Sequence, residues 1–135
     1  MATAVENGQR VAIITATRGE AGVQDEARWP AERLAQIRTK ESEDSLALLG
    51  VTDQTWLDYP DGGCSRVNEN EAVNRLVELI NNFKPDSVLT FGPDGLTGHE
   101  DHKTISIWAK KALLESDSKA KLYYAIQTPG QYEAM

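Results

Sequence analysis

Four short apolar runs of strand length alternate along this chain with three longer stretches whose apolar residues recur at helical spacing. That alternation admits few folds, because parallel strands cannot be joined by tight turns and their crossovers are usually helices. Residues 10–16 (Arg-Val-Ala-Ile-Ile-Thr-Ala) are rich in β-branched side chains, and Arg18-Gly19-Glu20-Ala21-Gly22 breaks them into a loop. From about Pro30 to Leu49 the period is helical, with Leu34, Ile37, Glu41, Ser45 and Leu48 on one stripe and Gly50 as the stop. The middle of that stripe is polar, which predicts a helix that carries function or lies partly exposed. Thr55–Tyr59 reads as a second strand, closed by Pro60-Asp61-Gly62-Gly63. Asn68, with Glu71 three residues on, predicts a helix start whose apolar face is Val73, Leu76, Val77, Ile80 and Phe83, ending at Lys84-Pro85. Ser87–Phe91 is the third strand, and its continuous apolar centre predicts burial on both faces. A glycine-rich loop from Gly92 to Asp101 leads to a helix carrying Ile105, Trp108, Ala109 and Ala112. Leu122–Ile126 is the fourth strand.

The order β-α-β-α-β-α-β, without repeat, linker or low-complexity segment, predicts one α/β domain over residues 1–135: a mainly parallel sheet with helices on both faces. In such sheets ligands bind beyond the C-terminal ends of the strands. Three loops fall there: Thr17–Gly22, Pro60–Cys64 and Gly92–His102.

Composition removes several function classes. Fourteen Lys and Arg against 21 Asp and Glu give a formal charge of −7 with no basic patch, which argues against nucleic acid as a partner. No apolar run approaches the roughly 20 residues that cross a bilayer. Met1–Gly8 has no basic segment followed by an apolar one, so a cytoplasmic setting is expected. The single Cys64 can form neither an internal disulfide nor a cysteine-rich zinc site, and reads as a partly buried thiol in a loop.

Both histidines of the chain, His99 and His102, lie in the third loop at a strand-to-helix junction. Neutral imidazoles about one helical turn apart can face the same way and are common zinc ligands. Asp94 and Asp101 offer carboxylates for ligation or for orienting an imidazole. The blander reading is a solvated helix start with Asp101 as its cap. Glu20 in the first loop, Asp61 in the second and Arg38 on the polar-striped helix could contact a polar ligand. Each also has a plain role as turn residue or surface ion pair.

Four segments, Thr-Arg-Gly-Glu-Ala-Gly (17–22), Arg38 and Glu41 followed by Ala47-Leu48-Leu49-Gly50, Pro60-Asp61-Gly62, and Gly98-His99-Glu100-Asp101-His102, resemble in order and spacing the LmbE-like (PIG-L type) zinc-dependent N-acetylglucosaminyl de-N-acetylases. The resemblance runs from about Val5 to Tyr124. It implies a three-layer Rossmann-like fold and zinc-dependent hydrolysis of N-acetyl groups on glucosamine-type substrates. By resemblance His102 is the zinc ligand and His99 the catalytic imidazole. Glu20, Arg38 and Asp61 sit near the sugar, and Asp94 and Asp101 support the site. The family's Ala-His-Pro-Asp-Asp-Glu segment, which carries two further zinc ligands and the general base, has no counterpart among the 135 residues. The expectation is therefore a chain shortened at both ends, lacking the family's first strand. Its zinc binding should be weak or absent and its deacetylase activity impaired, and an open sheet edge would favour a homodimer. A non-catalytic α/β binding or oligomerising module of the same ancestry is the alternative. A nucleotide binder is disfavoured because no phosphate-loop motif is present.

Overall fold

The computed structural model describes residues 1–22, 25 and 27–133. The chain forms two compact units, Met1–Gly62 and Gly63–Met135.

The first unit holds α1 (Ala2–Glu6), β1 (Ala12–Thr15), α2 (Ala31–Leu48) and β2 (Asp53–Trp56). β1 and β2 run parallel, from Ala12 opposite Asp53 to Thr15 opposite Trp56. The strand expected at 55–59 thus lies earlier. Leu57 and Tyr59 are buried. Between them, however, Asp58 takes φ +58°, which interrupts the extended backbone. Backbone bonds from Leu57 to Thr15 (2.9 Å) and from Tyr59 to Ala16 (3.0 Å) carry the pairing past that break.

The stripe predicted on α2 is corrected in its second half. Leu34 is buried, yet Glu41 and Ser45 are exposed and Leu48 is 89% exposed. The half-covered side runs instead through Ala35, Thr39, Ser42 and Leu46. Hydrogen bonds hold that side: Arg18 donates to Thr39 (2.9 Å) and Gln54 to Ser42 (3.0 Å). A face held by side-chain hydrogen bonds leaves no apolar period to read. Gly50 stops α2 as its position predicts. It has φ +78°, its N–H bonds Ala47, and that of Val51 bonds Leu46 (2.8 Å), a Schellman closure.

The second unit holds a single 3-10 turn (Cys64–Arg66), α3 (Glu69–Phe83), β3 (Ser87–Phe91), α4 (Glu100–Glu115), β4 (Lys121–Ala125) and α5 (Pro129–Glu133). The Asn68 side chain caps α3 by accepting from the Glu71 N–H (3.1 Å). Ala72, Val73, Leu76 and Ile80 are the buried face of α3. α4 packs on α3 and β3, burying Trp108 and Ala112. β3 and β4 are parallel, Ser87 opposite Lys121 through Phe91 opposite Ala125. Burial of β3 on both faces is not found. Leu89 is 77% exposed, and Tyr123, opposite it, 48%. Cys64, expected to be partly buried, is fully enclosed at the start of the 3-10 turn.

Candidate functional site

Phe91 ends β3, and the loop from Gly92 to Gly98 delivers the chain to α4. Gly95 donates to Gly92 O (2.9 Å), and Thr97 donates to Gly95 O (2.7 Å). Asp94 Oδ1 accepts from the Leu96 N–H (3.1 Å) and closes the turn locally. Gly95 has φ +74°, and a Cβ there would come within 3.0 Å of His99 O and 3.2 Å of His102 Cβ. Only glycine lets this loop fold back against the start of α4.

The cap of α4 is His99, in extended conformation, with Nδ1 accepting from the Asp101 N–H (3.1 Å). The assignment of the cap to Asp101 is therefore corrected. Asp101 lies inside the first turn, past the position from which a side chain can turn back to cap, and is 4% exposed. Its Oδ1 accepts from the Cys64 N–H (3.1 Å).

These contacts give the two imidazoles opposite proton placements. A backbone N–H can only donate, so His99 Nδ1 must present its lone pair, and the neutral ring carries its proton on Nε2. His102 Nδ1 lies 3.0 Å from Gly95 O, a group that can only accept. Here Nδ1 carries the proton and Nε2 keeps the lone pair. Thr97 Oγ1 is 3.4 Å from the same nitrogen. The ring centroids are 5.0 Å apart, tilted by 32°. One ring thus offers a lone pair through Nε2 and its neighbour a polar N–H. Phe91 stacks on His102 with centroids 3.9 Å apart and planes 5° apart. Asp94 is exposed, with Oδ1 occupied by its own turn, and Glu100 pairs with Lys103 (3.1 Å).

In the first unit, Glu20 and Asp61 tie two loops together. The Asp61 N–H donates to Glu20 Oε1 (2.8 Å), while Asp61 accepts from Thr17 Oγ1 (3.2 Å) and from the Ala21 N–H (3.0 Å). Glu20 Oε2 is buried with no donor among the described residues. A buried carboxylate oxygen in that state favours any ligand that brings a hydrogen-bond donor. Arg38 is exposed and pairs with Glu41 (3.1 Å), its stem running beside Gly19. Sequence reasoning missed Arg18. Its guanidinium lies 4.1 Å over the Trp56 ring, donates to Asp58 (2.7 Å) and Thr39, and anchors the positive-φ Asp58. No periodicity links positions 40 residues apart, so the sequence carried no signal for this clamp.

A tetrahedral zinc centre in an enzyme takes about three protein ligands and one open position. His102 fits as one of them: its Nε2 lone pair is available, and its Nδ1–H donates to a backbone carbonyl, a common arrangement behind a ligating imidazole. The set as a whole does not fit, since no group of three or more His, Cys, Asp or Glu side chains among the described residues could hold a metal ion.

Residues 1–113 match the sequence profile of the PIG-L family, described as GlcNAc-PI de-N-acetylase. The chain belongs to the PIG-L family. It is similar to the 1D-myo-inositol 2-acetamido-2-deoxy-alpha-D-glucopyranoside deacetylase of Kineococcus radiotolerans, at 28% identity over 84% of this chain and 39% of that one. The corresponding deacetylase 2 of Catenulispora acidiphila is 34% identical over 76% of this chain and 41% of its own length. Among solved structures, the N,N'-diacetylchitobiose deacetylase of Pyrococcus horikoshii superposes with a TM-score of 0.75 and 29% identity, over 84% of this chain and 42% of that chain. The fold is accordingly an α/β, Rossmann-like one with parallel strands. The chain spans about two fifths of the length of these relatives. No helix among the described residues is long and apolar enough to cross a membrane.

Proposed function

We propose that this chain contributes to hydrolysis of an N-acetyl group on a glucosamine-type sugar conjugate, with His99 as its catalytic imidazole and His102 as its metal-binding one. The observation that carries the reading is their opposite proton placement. Metal-assisted amide hydrolysis needs an imidazole lone pair to help hold the metal and, beside it, a polar N–H for the oxyanion or the departing amine. His102 Nε2 would supply the first and His99 Nε2–H the second. Glu20, with its unpartnered Oε2, is the proposed contact to a sugar hydroxyl, with Arg38 and Asp61 beside it. Zinc belongs to the proposal as the family's metal, to which His102 Nε2 would be one donor. Asp101 supports the pair through its backbone N–H, and Asp94 through the turn it closes. A cytoplasmic setting is part of the same reading and is checked by cell fractionation.

With one fitting imidazole, the isolated chain is expected to bind zinc only weakly and to release negligible acetate from N-acetylglucosamine conjugates. A zinc titration against a chromogenic chelator measures this. The binding that occurs should disappear in His102→Ala and persist in Asp94→Ala. Zinc binding unaffected by His102→Ala would overturn the assignment, and no zinc binding at micromolar supply would make the non-catalytic module the better reading.

The proposal also includes a homodimer. The expected route is an open sheet edge; beside it, Leu89 and Tyr123 leave an apolar strip on one face of the β3–β4 pair that a second copy would cover. Sedimentation should show a dimer that Leu89→Lys dissociates. A wild-type protein that sediments as a monomer would refute it.

A further inference from the structure

We propose that Phe91 is a positioning residue for the imidazole pair. Stacked on His102, it holds that ring in the plane that aims Nδ1 at the Gly95 carbonyl, and so fixes which nitrogen offers the lone pair. The inference rests on the proposed role of His102, but not on any metal being bound.

Three observations support it. The stack is close and nearly coplanar, 3.9 Å between centroids and 5° between planes, so rotation about the imidazole's last side-chain bond would drive its edge into the Phe91 ring. A histidine ring can otherwise turn over, exchanging the positions of its nitrogens and carbons. The Gly95 carbonyl is itself held by its turn. It accepts from the Thr97 N–H at 2.7 Å, and its residue sits where even a Cβ would press on His99 O, Lys103 Cγ and His102 Cβ. Phe91 is in turn fixed by β3, opposite Ala125. A fixed acceptor on one side and a fixed ring face on the other leave His102 one orientation and one tautomer. His99, tied by its cap bond to Asp101, has no such stack among the described residues and takes the other tautomer.

The test is nitrogen-15 NMR of histidine-labelled, metal-free full chain, on the alkaline side of the ordinary imidazole range. Both histidines are then visible and can be told apart with His99→Gln. In the wild type, His102 is expected to show a protonated Nδ1 and a pyridine-like Nε2, with ring protons shifted upfield by Phe91, and His99 the reverse pattern. Phe91→Leu should abolish the upfield shift and mix the two tautomers of His102, and Phe91→Tyr should restore both features. Should Phe91→Leu fail to fold, Phe91→Met carries the same comparison. A wild-type His102 protonated on Nε2 would overturn the proposal, as would an aliphatic variant that keeps the single tautomer. Because the spectra are read without metal, this result is separable from the zinc titration. The stack can hold while the deacetylase reading fails, or the reverse.

Discussion

Trp108→Ala is expected to destabilise the second unit by about 3–5 kcal/mol, the usual cost of emptying a fully buried aromatic site. Trp108 is 1% exposed and is the largest fully enclosed side chain among the described residues. Its neighbours along α4, Ser106 and Ala112, are 3% and 0% exposed, so small residues on the same helix cannot swing in to fill the gap. Relaxation is thus limited, and the cost should fall in the upper part of that range. A loss of this size is comparable to the whole stability of a modest domain, about 5–15 kcal/mol. Urea denaturation followed by circular dichroism measures it. Leu114→Ala, on the same helix but 76% exposed, serves as the control and should change stability by no more than about 0.5 kcal/mol. Equal losses in the two variants would mean that Trp108 is not the centre of this core.

The elements of the second unit were the more legible in the sequence because apolar burial organises them. Val73, Leu76 and Ile80 repeat at helical spacing, and the structure buries them. Asn68 and Glu71 announced the start of α3, and the Asn68 side chain does accept the Glu71 N–H. The first unit was read less well, since its contacts are polar and distant in sequence. Thr39 and Ser42 face inward because Arg18 and Gln54 reach them, which no hydrophobic period encodes. At the candidate site, residue identity and the glycine-rich loop placed His99 and His102 together. The division of labour between them was not legible: it depends on which nitrogen meets an N–H and which meets a carbonyl. Burial of β3 failed for a related reason. An apolar strand states that it can be covered, whereas its cover depends on elements elsewhere, and Leu89 remains open.

Asp101→Ala should cost about 1–4 kcal/mol and loosen the very turn that sets the histidines. Asp101 is 4% exposed and its Oδ1 accepts from the Cys64 N–H, which is itself buried. Removing the acceptor leaves that N–H without this partner, a penalty of about 1–3 kcal/mol. The lost negative charge in the first turn of α4 adds about 0.3–1 kcal/mol through the helix dipole. Asp101→Asn separates the two contributions. It keeps an oxygen for Cys64 N–H while removing the charge, so its cost should be smaller than that of Asp101→Ala. Cys64 supplies a second readout, because its side chain is fully enclosed and belongs to the turn that Asp101 anchors. Its reaction with a thiol reagent should speed up in Asp101→Ala and stay slow in Asp101→Asn. The link to chemistry is short. The Asp101 N–H is the donor that holds His99 Nδ1, so a carboxylate pinned to Cys64 at one end fixes an imidazole at the other. If Asp101→Ala leaves both stability and thiol reactivity unchanged, the start of α4 must be anchored by some other contact.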